Sequence, residues 1–361
     1  AVMFTASHNP PQYNGMKFCK SDAIPINEDT GLKKIKSIIE NNEYAKNKIK
    51  IKNGKITKKG ILKNYANHVK KFIDFKKLRK LKIAADAGNG MAGKIVPLAY
   101  KNLPIKIVPL YFRLDGNFPN HPADPSKHEN LIELQKMVKD KNCDFGMAFD
   151  GDADRIFFVD ENGSVINSSL ISSLIIKNIL AKNKNKKIIY NLVCSHIVPD
   201  TIKLYGGIPI IERVGHSFIK ETMRKTKAVF ACEHSAHYYY RDNYRADSGM
   251  ITSLIVSEIV SKENKKLSEL LNEFRKYSTI EETSIEVRDK NLKLREIESI
   301  YNQQNPKKIS KLDGITVEFG NWWFNVRPSN TEPLLRLNLE ADSEEMMEEK
   351  KEELLEVMKG D

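Results

Sequence analysis

The sequence predicts an α/β chain: tandem α/β domains with mixed sheets flanked by helices, then a C-terminal α+β domain, with the first domain incomplete. Three observations predict it. Short apolar runs alternate with helical stretches over residues 61–277, the pattern of strand–helix–strand connections. From residue 280 the pattern changes to strand-like runs followed by one Glu/Lys-rich helical run. The chain also starts directly on an apolar run, Val2-Met3-Phe4, with no initiator Met.

The elements follow in order. Residues 1–4 read as a strand end, and residues 5–18 as the loop after it. Residues 31–41 have helical spacing, and 43–60 form a Lys/Asn/Gly-rich connector. A helix is predicted over 61–78, with Ile61, Leu62, Tyr65, Val69, Phe72 and Ile73 on one side. Strands follow at 82–86, 105–111, 145–149 and 156–159, with a helix over 130–142. The next set is a strand at 187–193, a helix at 197–204, a strand at 208–213, a helix at 217–226 capped by Ser217, and a strand at 228–231. Residues 249–261 and 267–277 read as helices. Strands at 283–287, 314–319, 322–326 and 334–340 and a helix at 343–358 complete the chain. The predicted domains are 1–58, 59–167, 168–281 and 282–361.

Composition narrows the functional classes. No apolar run approaches the roughly 18 residues of a membrane helix, so no membrane partner is expected. The four cysteines, Cys19, Cys143, Cys194 and Cys232, are scattered without a CxxC pair. That speaks against a disulfide framework or a Cys-type zinc site and for a reducing cytoplasm. The net charge of +12, from 59 basic and 47 acidic residues, has two readings: nucleic-acid binding, or Lys on solvated faces. The Lys are spread out and not interleaved with aromatics as single-strand binders require, so no nucleic-acid partner is expected. An anionic substrate also fits a basic surface.

Four loops carry the chemistry. Thr5-Ala6-Ser7-His8-Asn9-Pro10 is a tight polar turn after the first strand, with a hydroxyl at its tip that can carry a phosphoryl group. Asp150-Gly151-Asp152-Ala153-Asp154-Arg155 lies between two apolar strands. Carboxylates at alternating positions on a tight loop do not all ionise cheaply without a cation among them, and an oxygen-only set favours Mg²⁺ or Mn²⁺. An EF-hand is the rival, with Glu161 at the twelfth position, but Arg155 stands where Gly is required and the flanks are strands. A solvated acidic turn is the plainer alternative.

Glu233-His234-Ser235-Ala236-His237 sets acid, hydroxyl and imidazole side by side, which suits a sugar diol; a metal site is the rival. Arg213-Val214-Gly215-His216-Ser217 opens a helix, and His216 also reads as an ordinary loop histidine. Arg327-Pro328-Ser329-Asn330-Thr331-Glu332-Pro333 lies between two strands. Its cationic fork, hydroxyls and backbone amides make a phosphate cradle, and a plain Ser/Asn/Pro turn is the alternative. The run Asp86-Ala87-Gly88-Asn89-Gly90 lacks the frame of a dinucleotide or P-loop and reads as a structural turn.

These loops, in this order and over essentially the whole chain, resemble the α-D-phosphohexomutase family of phosphomannomutases and phosphoglucomutases. The resemblance implies four domains around one cleft, each supplying one loop. It implies that Ser7 is the phosphoserine and that Asp150, Asp152 and Asp154 bind one Mg²⁺ together with the Ser7 phosphate. It implies that Glu233, Ser235 and His237 read sugar hydroxyls and that Arg327, Ser329, Asn330 and Thr331 hold the non-reacting phosphate. Lys17, Arg155 and His216 match positions near the reacting groups, His8 belongs to the serine loop, and Arg213 is grouped with the substrate-binding residues. Lys17, among cations, is expected to have a lowered pKa and to serve as acid/base.

The implied reaction interconverts hexose 6-phosphate and hexose 1-phosphate, with hexose 1,6-bisphosphate as intermediate and activator. The expected protein is a cytoplasmic monomer or weak dimer. His234 stands where phosphoglucosamine mutases carry Gln, which favours mannose and glucose phosphates; a phosphoglucosamine mutase is the alternative. Cys232 departs from the family's usual Gly. The family has most of its first domain before the serine loop, so the chain is expected to be a fragment, and the alternative reading is an inactive sugar-phosphate-binding remnant. Two further rivals are a Mg²⁺-dependent phosphatase, attacking through Asp150 with Asp152 as acid, and a basic nucleic-acid-binding module.

Overall fold

Continuous apolar burial decides where the central strands run. The computed structural model describes residues 1–46, 54–329 and 332–359, and these fall into two units, Ala1–Ile166 with His237–Glu269, and Asn167–Ala236 with Leu270–Asp361. In the first unit, the strand Phe145–Phe149 is buried at every position, as expected of a strand covered on both faces. It lies at the centre of a five-stranded sheet in the order Ile105–Leu110, Leu81–Asp86, Phe145–Phe149, Ile156–Val159, Val165–Ile166. The first three strands are parallel and the last two antiparallel.

Helix Ile132–Asp140 covers one face, burying Leu134 and Val138 against Ala84, Ala148 and Val159. Helix Gly249–Glu263 is buried along most of its length, and Tyr100, beside helix Ala92–Ala99, donates to Ser253 on it at 3.0 Å. The helix expected over 61–78 runs only over Leu62–Lys70. Its last amides bond to carbonyls three residues back, and the Asp74 carboxylate then accepts from the Lys76 amide to start a separate 3-10 turn. At the front of the chain, Val2–Phe4 pairs antiparallel with Met16–Phe18, with Met3 opposite Lys17. That second strand was not expected from three residues of sequence, and it fixes where Lys17 stands.

In the second unit, Phe230–Cys232, Lys187–Asn191 and Ile208–Glu212 form a parallel sheet. Helix Ser168–Lys182 beside it had no sequence signal. It is buried on most of its circumference, and Ser173 returns its hydroxyl to the Ser169 carbonyl at 2.9 Å, so no polar stripe marks it. Helix His216–Thr226 is preceded by Gly215 at φ 130°, so Ser217 lies inside the helix and does not cap it. The expected helix 267–277 is the short Leu267–Leu271 and a 3-10 turn, Asn272–Phe274.

The C-terminal part of this unit is an antiparallel sheet in the order Ser278–Thr279, Leu334–Ala341, Trp322–Pro328, Ile315–Glu318, Lys308–Ser310, with Thr283–Glu286 also paired to Leu334–Ala341. Helices Lys290–Asn302 and Glu344–Lys359 close a core around Tyr301, Phe324, Leu337 and Leu354. The helix Lys290–Asn302 and the strand Lys308–Ser310 were not anticipated. Part of the connector read over 43–60, and Asn330 and Thr331, lie outside the described residues. Among the described residues no helix is long and apolar enough to cross a membrane.

Candidate active site

Ser7 sits at φ 53°, the tip of a turn. Its amide donates to Thr5 Oγ1 at 2.9 Å, and that hydroxyl donates to Asp152 Oδ2 at 2.8 Å. Ser7 Oγ donates to Asp150 Oδ2 at 2.8 Å, and His8 Nδ1 lies 3.2 Å from the same hydroxyl. The serine turn and the acidic loop are thus tied together residue by residue. The backbone approach is close: a Cβ on Gly151 would come within 2.2 Å of the Ser7 carbonyl oxygen. Gly151→Ala is therefore expected to displace the Ser7 turn. A displacement of this kind is expected to lower kcat/KM by about 10- to 100-fold, read by steady-state kinetics beside an unfolding curve that stays close to the wild type.

The acidic loop is built for a cation. Asp150, Asp152 and Asp154 place carboxylate oxygens within 4.8 Å of one another. Asp150 is fully buried and doubly held, by the Arg155 amide at 3.2 Å on Oδ1 and by Arg155 Nε at 3.1 Å on Oδ2. Burial, then the neighbouring Asp154 and Asp152, raise its pKa against the pull of Arg155. Asp152 Oδ1 and Asp154 Oδ1 are buried with no hydrogen-bond partner among the described residues. Orphaned oxygens on crowded carboxylates are costly unless positive charge joins them. The residues therefore fit a divalent metal with oxygen ligands.

Lys17 bridges the other two carboxylates, 3.2 Å from Asp152 Oδ2 and 2.9 Å from Asp154 Oδ2. The lowered pKa expected of it is corrected here. Burial does lower it, but Asp154 and Asp152 outweigh burial and hold the ammonium protonated well above its ordinary range. The groups it pairs with are these two carboxylates.

His237, the last residue of the 233–237 run, packs in the first unit, where Arg155 and His237 form an antiparallel bridge. Its Nδ1 lies 2.8 Å from Asp247 Oδ2 and 3.8 Å from Asp154 Oδ1.

In the second unit, Glu233 follows the strand Phe230–Cys232 and is buried. Its Oε2 accepts from Asn191 Nδ2 at 3.3 Å and from the Gly215 amide at 3.2 Å, so one carboxylate joins the 233–235 turn to the loop that opens helix His216–Thr226. Asn191 Oδ1 in turn accepts from the His234 amide at 3.2 Å. Ser235 is half-buried in that turn. Arg213 lays its guanidinium over the Phe218 ring, 4.3 Å from the centroid, a cation–π contact. Cys232 is buried at the strand end, its thiol 3.9 Å from the Ile189 carbonyl.

Arg327 and Pro328 are the last residues of the strand Trp322–Pro328, paired with Arg336 and Leu335, and do not lie in the loop as expected. The Ser329 amide closes the turn on the Leu334 carbonyl at 2.8 Å. Lys290 Nζ donates to the carbonyls of Ser329 at 2.8 Å and Glu332 at 3.0 Å. Burial lowers the His234 pKa, with Glu282 raising it and Arg327 lowering it, so His234 lies within electrostatic reach of Arg327.

Comparison with known proteins decides the family. The four domain descriptions of phosphoglucomutase/phosphomannomutase match in order: alpha/beta/alpha domain I over residues 1–46, alpha/beta/alpha domain II over 63–163, alpha/beta/alpha domain III over 167–277 and the C-terminal domain over 282–357. The phosphomannomutase of Methanocaldococcus jannaschii is 41% identical over 98% of this chain and 77% of its own length. The chain belongs to the phosphoglucomutase/phosphomannomutase family. The phosphohexose mutases of Xanthomonas campestris pv. campestris are 38% identical over 99% of the chain and 80% of their own length. A crystal structure of a phosphoglucomutase/phosphomannomutase family protein from Burkholderia thailandensis, 28% identical, aligns with a TM-score of 0.86 over 99% of this chain and 75% of that one.

Several partners of this phosphohexomutase's loops escaped sequence reasoning. Asp124 accepts from Arg155 Nη2 at 3.4 Å, Asp247 holds His237, Lys290 holds the phosphate loop and Glu282 pairs with Arg327. Each is a single charged residue outside the run it touches, from ten to forty-five residues along the chain, so no local motif marks it.

Proposed function

We propose that the chain interconverts the 6-phosphate and 1-phosphate of mannose or glucose through phospho-Ser7 and a hexose 1,6-bisphosphate. The observation that carries this reading is the Ser7 hydroxyl, 2.8 Å from Asp150 in a turn stapled to the acidic loop. In the forward half-reaction the bond from phosphorus to Ser7 Oγ breaks and a bond to the free sugar hydroxyl forms, while that hydroxyl's proton passes to a base. In the return half-reaction the bond from the other phosphorus to its sugar oxygen breaks and a bond to Ser7 Oγ forms, while the serine gives up its proton and the freed sugar oxygen takes one up. His8, 3.2 Å from Oγ, is placed to exchange the serine proton.

Phosphoryl transfer needs positioning and charge neutralisation more than covalent help. Lys17 supplies a fixed positive charge beside the acidic loop, and Arg155 holds Asp150 in place. Asp150, Asp152 and Asp154 would hold Mg²⁺, which supplies charge neutralisation at the transferring phosphoryl oxygens. Glu233, Ser235 and His237 recognise hexose hydroxyls, with Arg213 and His216 on the adjoining loop. Arg327, Ser329, Asn330 and Thr331 hold the phosphate that is not reacting. The segments 1–58, 59–167, 168–281 and 282–361 are the proposed domains behind these loops.

The test is turnover of mannose 1-phosphate and glucose 1-phosphate by the 361-residue chain, with Mg²⁺ and catalytic glucose 1,6-bisphosphate, followed by phosphorus NMR. The 6-phosphates are expected to appear without inorganic phosphate. Stoichiometric phosphate release would instead indicate a phosphatase, binding without turnover a non-enzymatic binder, and preference for glucosamine 1-phosphate a different sugar.

A further inference from the structure

We infer that Glu282 is the positioning residue of the phosphate loop, acting through the two arginines it holds. The inference deepens the proposed reading of Arg327 and Ser329 as phosphate ligands and rests on it. Glu282 lies just before the strand Thr283–Glu286, which pairs with Leu334–Ala341 and so passes close to the residues after the phosphate loop.

Three donors converge on its carboxylate: Arg327 Nη2 at 2.7 Å and Asn338 Nδ2 at 3.1 Å on Oε2, and Arg336 Nη1 at 3.0 Å on Oε1. Arg327 and Arg336 are cross-strand partners. Two guanidinium groups held side by side repel unless a carboxylate stands between them, and Glu282 is that carboxylate.

The arrangement leaves donors unused. Arg327 Nε, Arg336 Nε and Ser329 Oγ are all buried without a hydrogen-bond partner among the described residues, and Ser329 is only 4% exposed. Each arginine spends one terminal nitrogen on Glu282 and keeps its Nε without a partner among the described residues. Lys290 adds a third positive charge while fixing the loop carbonyls. With Glu282 ionised, the three cations and one carboxylate leave the local charge of a phosphate dianion with opposite sign. An arginine fork binds phosphate by geometry as much as by charge. Fixing the fork in advance removes the cost of ordering it on binding.

The test is calorimetric binding of mannose 1-phosphate to the full chain and to Glu282→Gln, Glu282→Asp and Arg336→Gln, with kcat measured alongside. Glu282→Gln keeps the shape but sets an amide against three donors. It is expected to weaken Kd roughly tenfold, the scale of one misaligned charge-assisted bond, while kcat stays near the wild type. Glu282→Asp is expected to recover part of the affinity. Arg336→Gln, on a half-exposed side chain, is expected to weaken Kd as well, and by less in the Glu282→Gln background than in the wild type. If Glu282→Gln does not fold, Arg336→Gln decides: an unchanged Kd overturns the inference. So does a Glu282→Gln chain that binds as tightly as the wild type or more tightly. A wild-type chain that binds but does not turn over overturns the proposed function and leaves this comparison intact.

Discussion

Replacing Ser7 by alanine is expected to abolish phosphoryl uptake from glucose 1,6-bisphosphate and to lower mutase turnover by at least about three orders of magnitude. The nearest other hydroxyl, Thr5 Oγ1, donates to Asp152 and accepts from the Ser7 amide, so it is locked in the turn's own scaffold. His8 Nδ1, 3.2 Å from Ser7 Oγ, would lose that partner. Folding is expected to survive. The alanine removes one hydrogen bond to Asp150 from a half-buried site, a loss of about 0.5–1.5 kcal/mol. Turnover is measured in the coupled mutase assay and folding by thermal melting. A variant that melts like the wild type and keeps a tenth or more of its turnover would sink the phosphoserine reading.

Removal of divalent metal is expected to have the second largest effect. Asp150 already accepts from Ser7 and Arg155, whereas Asp152 and Asp154 each keep a buried oxygen without a hydrogen-bond partner among the described residues. Lys17 neutralises part of that charge but cannot reach every oxygen. Dialysis against EDTA is expected to bring turnover to background, and added Mg²⁺ to restore it. Because a cation that binds only the folded chain stabilises it by mass action, Mg²⁺ is also expected to raise Tm. Asp152→Asn removes a ligand charge and is expected to weaken Mg²⁺ binding at least about tenfold, measured by titration calorimetry. Full turnover in excess EDTA, or a Tm indifferent to Mg²⁺, would remove the metal from the account.

The strands that matter were legible because each is a short apolar run ended by a loop with Gly, Asp or Pro. Phe145–Phe149 and Ile156–Val159 bracket the acidic loop, and both stand where their composition puts them. Several helices with one apolar face were legible too, although Lys290–Asn302 was not. Helix Ser168–Lys182, buried on most of its circumference, carries no polar stripe and was missed, whereas the equally buried Gly249–Glu263 was read as a helix. The boundary of helix Leu62–Lys70 was misplaced because Asp74, a local capping group, overrides an apolar pattern that continues past it.

At the site, the residue types suited to a phosphoryl group or a metal stand out as local clusters. Their supports do not. Asp124, Asp247 and Glu282 lie outside the runs they touch, ten to forty-five residues along the chain from their partners. The error over Lys17 has the same origin: sequence shows that a lysine is near charged loops, and only the pairing of Met3 with Lys17 across the first hairpin shows which charges it meets.

The central claim is that Ser7 carries the phosphoryl group between two positions of one sugar. Intact mass spectrometry of the full chain, before and after incubation with glucose 1,6-bisphosphate and Mg²⁺, tests it most directly. The account expects the chain to gain one phosphoryl group, to lose it on addition of excess mannose 6-phosphate, and to show neither change as Ser7→Ala. A phosphoryl group acquired equally by Ser7→Ala, or a wild-type chain that never acquires one, would contradict it.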